Sequence, residues 1–460
     1  MAQTRHWTTM GFDGFSKGTF GNAGQNLYVS RRGTLQRIHQ FDLNRNGYFD
    51  LVFCNDHDNG ESAPSYVYRE PLGKENRTEI PSDGAWAGAS DDLNGNGYDD
   101  LVLGMLSNGT APELNSFVYS GGEGGFSERR RQLLPVPYCI SVATGDFDGD
   151  GKPDLAFLRL REMATIENDL DQADRLLRVF TQSELGLEPE RFVELGIDAD
   201  SVASADLDGD GFDDLVARST TGEVTIYWGG PGGLDMARST RVPVSVEAQD
   251  PAKDPHYIEE PKEARDDARV LAMTVDLGEV HHVFVPSVDS AALVPVHGDR
   301  TFGEPLELPC ERPMSVAVGD VNGDSYEDVV VACRQGWKDG ECSWIFWGGP
   351  DGHDADRKSA LPSMRACDVA VGDLTGDGFD DVVLCQSRTL DMFTTESLIY
   401  RGGPDGASPE PKRLTTQDAR RAFLIGSPSH KLPDIAFVNR FSRHASRAVD
   451  SYIYYGGPDG

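Results

Sequence analysis

Asp206-Leu-Asp-Gly-Asp-Gly-Phe-Asp-Asp214 holds five aspartates in nine residues, and the apolar run Leu215-Val-Ala217 follows it at once. Close variants recur along the chain. They are Asp42-Leu-Asn-Arg-Asn-Gly-Tyr-Phe-Asp50, Asp92-Leu-Asn-Gly-Asn-Gly-Tyr-Asp-Asp100, Asp146-Phe-Asp-Gly-Asp-Gly-Lys-Pro-Asp154, Asp320-Val-Asn-Gly-Asp-Ser-Tyr-Glu-Asp328 and Asp373-Leu-Thr-Gly-Asp-Gly-Phe-Asp-Asp381. Each is preceded by a short alternating segment, such as Ser315-Val-Ala-Val318 or Asp368-Val-Ala-Val371. Each is followed by a short apolar run, such as Leu101-Val-Leu103 or Val329-Val-Val331. Alternation, acidic turn and apolar run together spell a β-hairpin whose turn is the acidic loop.

A second motif lies between the loops: Ser65-Tyr-Val-Tyr68, Ser116-Phe-Val-Tyr119, Val224-Thr-Ile-Tyr-Trp-Gly-Gly-Pro231, and copies ending in Gly-Gly-Pro-Asp-Gly from Ser343, Ser397 and Ser451. It reads as a third strand closed by a glycine turn, with a short fourth strand leading to the next loop. Two further units keep both hairpin strands around a shortened turn, in the stretches 270–285 and 423–437. Hairpins therefore start near 42, 92, 146, 206, 276, 320, 373 and 426. Four strands per unit, repeated eight times, predict an all-β chain folded as a single eight-bladed β-propeller with antiparallel blades, seven blades being the alternative count. The segment 451–455 supplies the third strand of the last blade. Asn26-Leu-Tyr-Val-Ser30 is positioned to add its outer strand and remove the open edges; the alternative is a ring continued by repeats beyond Gly460. The expected organisation is an N-terminal extension over 1–24 and one propeller over 25–460.

Composition excludes several classes. A formal net charge of −34 is wrong for a nucleic-acid partner, which needs a basic stripe. No apolar stretch approaches the ~18–20 residues of a membrane span, so membrane insertion is not expected. Met1–His6 lacks the apolar core of a signal peptide. The seven cysteines form no CxxC pair, which argues against zinc. Cys333 and Cys342 flank a hairpin and are read either as a bridge or as free buried thiols. A monomer is expected.

These loops and strands resemble the FG-GAP/VCBS repeats of integrin α-subunit propellers and of many secreted bacterial proteins, from about residue 25 to 460. Oxygen donors at alternate positions of a tight loop suit a hard cation such as Ca²⁺, which takes six to eight oxygens. The resemblance implies about six structural calcium ions, held in successive loops by Asp42, Asn44, Asn46 and Asp50; by Asp92, Asn94, Asn96 and Asp100; by Asp146, Asp148, Asp150 and Asp154; and by Asp206, Asp208, Asp210 and Asp214. The last two sets are Asp320, Asn322, Asp324 and Asp328, where Ser325 replaces the turn glycine, and Asp373, Thr375, Asp377 and Asp381, where Thr375 is a weaker donor. The competing reading is that the loops are merely solvated hairpin tips. Sites of this kind suit millimolar calcium and imply an extracellular or periplasmic location.

In such propellers the calcium loops gather on one face and the remaining inner connections on the other. Those connections hold Arg37, Arg159, Arg161, Arg218, Arg269, Arg312, Arg334, Arg365, Arg388, Arg420, Arg421, Arg440 and Arg443, with Trp86, Trp337 and Tyr138 among them. Guanidinium groups bind carboxylate or sulfate bidentately, so an anionic polysaccharide is the expected ligand and a cell-surface protein the alternative. The competing reading pairs these arginines with aspartates of neighbouring blades. His39, His57 and His444 fall in the first and last blades, which adjoin if the ring closes. With Arg440, Arg443 and Tyr138 they form the candidate catalytic group of a lyase that removes the proton α to a uronate carboxyl, as the resemblance to polysaccharide lyases of this fold suggests. The two functional readings are a binding module and a lyase.

Overall fold

The computed structural model describes residues 25–27, 35–55, 63–69, 72, 76–107, 114–161, 174–246, 271, 273–334, 342–387, 394–427, 430–440 and 450–457. Within them, eight four-stranded antiparallel sheets follow one another along the chain. Blades I to VII occupy 35–80, 85–134, 139–196, 201–241, 274–309, 313–362 and 366–417, each with its strands A to D in sequence order from the first to the last. A 3-10 turn at Glu128–Arg130 leads into strand D of blade II. No helix there is long and apolar enough to cross a membrane.

Blade VIII is built from both ends of the chain. Its strands A, B and C are Ala419–Ser427, His430–Asn439 and Ser451–Tyr454, and strand Gln25–Leu27 pairs antiparallel with the last, Leu27 opposite Ser451. The expected closing strand is thus in place at Gln25–Leu27, with residues 28–30 of the expected span outside the described residues, and it covers the edge of strand C of blade VIII.

Strand B reads as a continuous apolar run because both of its faces are covered. Asp100–Met105, Asp328–Cys333 and Asp381–Gln386 are buried at every residue, unlike the outer strand Val193–Gly196 of blade III. Each blade face packs on the next, giving eight apolar clusters, one at every seam. Val52, Cys54 and Val67 of blade I meet Leu101, Leu103 and Tyr119 of blade II. At the closing seam Ile38, Leu51 and Phe53 of blade I meet Ile425, Ala436 and Ile453 of blade VIII. Blades V and VIII have the shortened turns expected: Leu277 pairs with Val280 around Gly278-Glu279, and Ser427 pairs with His430. Cys333 keeps a free, buried thiol, so no bridge joins it to Cys342.

Strand A carries a bulge between its first and third residues in blades I, II, III, VI, VII and VIII. The residue just before it is left-handed in five blades: Gly84, Tyr138, Arg312, Arg365 and Asp418 have φ of 80, 60, 51, 50 and 46°. Its carbonyl accepts an N–H from the end of strand B, as Arg312 does from Arg334 (2.9 Å). This turn starts each inner strand at the face opposite the acidic loops.

The glycine turn between strands C and D is the second fixed point. The first glycine of each pair lies so close to the carbonyl before strand B that a Cβ would overlap it: Gly121 on Asp99, Gly229 on Asp213, Gly348 on Glu327 and Gly402 on Asp380. Neither backbone can yield. Gly348→Ala is therefore expected to destabilise the chain by roughly 2–3 kcal/mol, measured by denaturant unfolding; an unchanged midpoint contradicts the close approach.

Candidate functional site

The six acidic loops share one hydrogen-bond pattern. The first aspartate accepts the N–H groups of the fifth and sixth positions, and the fifth residue's side chain accepts the N–H of the seventh. In blade III these are Asp150 and Gly151 onto Asp146 (3.1 and 2.8 Å) and Lys152 onto Asp150 (2.9 Å). In blade VI they are Asp324 and Ser325 onto Asp320 (3.0 and 2.8 Å) and Tyr326 onto Asp324 (2.9 Å). Asp42, Asn46, Asp92, Asn96, Asp206, Asp210, Asp373 and Asp377 act in the same way. Two positions must be left-handed, the fourth and the sixth. Glycine fills both in blades II, III, IV and VII, while Arg45 (φ 53°) and Ser325 (φ 70°) take the strained places in blades I and VI.

The ninth aspartate is buried in all six loops: Asp50, Asp100, Asp154, Asp214, Asp328 and Asp381. In five of them one oxygen accepts the N–H of the second residue past the end of strand C. Gly121 donates to Asp100 (2.7 Å), Gln182 to Asp154 (2.8 Å), Gly229 to Asp214, Gly348 to Asp328 and Gly402 to Asp381 (2.9 Å each). Blade VIII has lost its acidic loop but keeps this bond, Gly456 to Asp434 (2.9 Å). The ninth aspartate is therefore a structural acceptor within the blade, in addition to its candidate role as a ligand.

Loop III fits a cation. Oxygens of Asp146, Asp148 and Asp154 lie within 4.8 Å of one another. The second oxygen of Asp154 is buried with no hydrogen-bond partner, an arrangement a hard cation would relieve. Burial pushes the Asp154 and Asp214 carboxyls up to about 7, and those of Asp100 and Asp328 to about 6. Asp206, Asp208 and Asp210 converge similarly in blade IV, where Arg300 bridges two of them. In loop II the Asn94 amide donates to both Asp100 oxygens (2.8 Å). Asn322 donates to Asp324 (3.1 Å) and Thr375 to Asp373 (3.5 Å), while Asn44 accepts from Asn46 N–H (3.1 Å).

The eighth loop residue, not singled out from the sequence, grips the turn of the preceding blade. Asp213 accepts the N–H of Asp146 (2.7 Å) while its own N–H donates to the Asp146 carbonyl (2.9 Å). Asp380 and Asp320 repeat the exchange between blades VII and VI (2.9 and 3.0 Å). Glu327 accepts from Gly278 of blade V (2.6 Å), and Asp99 takes Arg45 of blade I (2.7 Å). The doublets Asp99-Asp100, Asp213-Asp214 and Asp380-Asp381 were the available signal.

On the opposite face, several arginines are matched by carboxylates. Arg218 pairs with Asp200 (3.1 Å), Arg159 with Glu194 (3.3 Å), Arg420 with Asp418 (3.0 Å), Arg421 with Asp368 (3.7 Å) and Arg161 with Asp174 (3.4 Å). Arg159, Arg218, Arg365, Arg420, Arg440 and Tyr138 are buried, whereas Arg37, Arg312, Arg334, Arg421 and Trp86 are half-buried. Asp368 also ties three blades together, accepting Ser315 of blade VI (2.7 Å) and the Ala422 N–H of blade VIII (3.0 Å). His39 sits at the seam between blades I and II, where its Nε2 accepts the Gly88 N–H (3.0 Å). Burial, then Arg37 and Arg421 nearby, holds its pKa down at about 3. His57, His444, Arg269, Arg388, Arg443 and Trp337 lie outside the described residues.

Residues 92–157 and 320–384 match the FG-GAP-like repeat, and residues 199–227 match the FG-GAP repeat. The chain is a β-propeller that carries FG-GAP repeats. No curated protein matches it. Among solved structures, the Dos1 propeller is similar with a TM-score of 0.50 at 8% identity, over 95% of each chain. BBS1N in complex with ARL6DN, soaked with lead, aligns at 0.42 and 11% identity over 94% of each. These likenesses concern the fold.

The raised aspartates set a direction for pH. An unfolded aspartate titrates near 3.8, whereas folded, metal-free Asp154 titrates at about 7. The folded chain then keeps protons that the unfolded chain releases, so this stability is complete below the unfolded value and is lost as pH rises through the folded one. In a chelating buffer the melting temperature is expected to fall between about pH 5 and about pH 8; a rise would contradict the burial of these carboxyls.

Proposed function

We propose that this protein is a calcium-stapled recognition propeller that binds an acidic polysaccharide at the face opposite its acidic loops, by the seam between blades VIII and I. The observation that carries the reading is the approach of Arg37 and Arg421 to the same half-buried imidazole, His39. Both arginines are half-buried and lie at the third position of their inner strands, at the end away from the acidic loops. Two guanidiniums on adjacent blades can grip a carboxylate or sulfate on a repeating glycan. Binding is favoured over elimination because the Nε2 lone pair of His39 is already committed to Gly88, and a base with so low a pKa abstracts protons poorly.

Calcium in the loops is the second half of the proposal. The orphaned Asp154 oxygen and the shared geometry of six loops support it, with the ions acting as staples and not reagents. Loops of this kind suit the millimolar calcium outside the cytoplasm, in the extracellular or periplasmic space. Each ion would neutralise carboxylates that otherwise repel one another, so removing it should loosen the ring.

The test uses immobilised uronate-containing polysaccharides in calcium buffer. The double variant Arg37→Ala, Arg421→Ala is expected to lose binding by at least about tenfold while melting at a temperature near that of the unaltered chain. Unchanged binding overturns the assignment of this seam. Accumulation of unsaturated uronate, seen by absorbance, would replace the binding reading with a lyase. Chelation should lower the melting temperature at neutral pH, and no change on chelation sinks the calcium half.

A further inference from the structure

Loops III and IV have the same ligand set, Asp at positions one, three, five and nine, yet their carboxylates are satisfied differently. In loop IV every oxygen has a partner. Asp206 accepts the N–H groups of Gly209, Asp210 and Gly211 (2.8, 3.2 and 3.0 Å). Asp214 accepts Gly229 through one oxygen and Leu207 through the other (2.9 and 3.1 Å). One oxygen each of Asp208 and Asp210 takes an N–H from Asp210 and Phe212 (3.1 and 3.0 Å). The remaining two belong to Arg300, whose Nε meets Asp208 and whose Nη2 meets Asp210, both at 2.6 Å. In loop III the second oxygen of Asp154 stays buried and unpartnered.

Arg300 is built into this place. It belongs to the turn between strands C and D of blade V, the element that in blades IV and VII lies on the preceding loop through its glycine pair, as Gly230 does on Phe147 and Gly403 on Val321 (3.0 Å each). In blade V that turn is His297-Gly-Asp-Arg-Thr301, and its Gly298 sits so near the Asp208 carbonyl that a Cβ would stand 3.0 Å from it. Arg300 itself is left-handed (φ 65°), and its N–H closes the turn on His297 (2.8 Å). Its guanidinium also lies 5.3 Å from the ring centre of buried Trp228 in blade IV. Blade V has only a two-residue turn between strands A and B, so it has no eighth residue with which to grip loop IV.

We infer that Arg300 is the resident cation of loop IV, standing where the other acidic loops are built to take a metal ion, so that this loop is metal-independent. This rests on the calcium reading for its contrast with loop III. A planar guanidinium bridging two carboxylates supplies fixed positive charge and satisfies the oxygens an ion would need. A spherical ion could enter only by expelling Arg300 from both aspartates and from Trp228. The seam between blades IV and V would accordingly stay closed when calcium is withdrawn.

The experiment counts calcium ions bound to the intact chain by native mass spectrometry, in the unaltered protein, in Arg300→Gln and in Asp154→Asn. Arg300→Gln is expected to bind one ion more than the unaltered protein, and Asp154→Asn one fewer. An Arg300→Gln chain that folds, by its near-ultraviolet circular dichroism, and gains no ion overturns the assignment, whatever the other loops do. Should that variant fail to fold, a crystal structure of the unaltered protein grown in calcium decides. Density for an ion in loop III with Arg300 still on Asp208 and Asp210 supports the inference, and an ion among Asp206, Asp208 and Asp210 with Arg300 displaced refutes it. An unaltered chain that binds no calcium, so that Asp154→Asn has none to lose, sinks the calcium reading, while the gain or absence of an ion in Arg300→Gln still decides Arg300.

Discussion

Six of the blades turn on a buried carboxylate at the end of an acidic loop. An aspartate placed there at the first residue of strand B cannot reach water, so its oxygens must be met by backbone N–H groups or by a cation. The N–H comes from the turn between strands C and D, which brings the far side of the blade against the loop; the donor is a glycine in blades II, IV, VI and VII and Gln182 in blade III. That one bond therefore fixes the relative height of the first and second halves of the sheet. Its survival in blade VIII, at Asp434 and Gly456, shows that the bond outlasts the loop around it. In blade VIII the acceptor stays although the cluster of neighbouring acids is gone, whereas strand B of blade V begins at Val280 and has neither.

The same loops also set how blades join. Apolar clusters fill every seam, but apolar contact is non-directional and permits sliding. The eighth-position acids add direction, since each reaches across to a particular backbone N–H or side chain of the blade before it. Adjacent residues thus divide the work: the ninth holds its own blade together, and the eighth holds the seam with the blade before it. Where an acid at the eighth position is absent, other groups take over, as Arg300 does between blades V and IV and Gln182 does on Leu93 between blades III and II (2.9 Å).

Much of this architecture was legible in the sequence because its signals are local. An alternating segment, an acidic turn and an apolar run lie within about twenty residues, so hairpins could be counted even where blades V and VIII had shed their acids. The strand C of blade III, Arg175–Phe180, and that of blade V, Ser290–Pro295, lack the aromatic and double-glycine ending and were not read. Contacts between blades were the least visible. Arg300 meets Asp208 across 92 positions, and Asp146 meets Asp213 across 67, with no pattern at either residue that names its partner. The arginine series was visible as residues but not as pairs: Asp418 beside Arg420 and Asp200 opposite Arg218 neutralise charges that, counted along the chain, looked available for a ligand.

The pairing of Leu27 with Ser451 carries a consequence for how the molecule is made. Blades I to VII can assemble in the order in which they leave the ribosome, because each uses consecutive strands. Blade VIII cannot, since its outermost strand precedes blade I in the chain and the partner of that strand follows blade VII. Until that partner is made the early segment has no sheet to join, and the two end blades of the nascent arc expose apolar faces. Ring closure is a late, long-range step whose loop entropy is met only once. Growth of this chain is thus modular, while its completion is all-or-none.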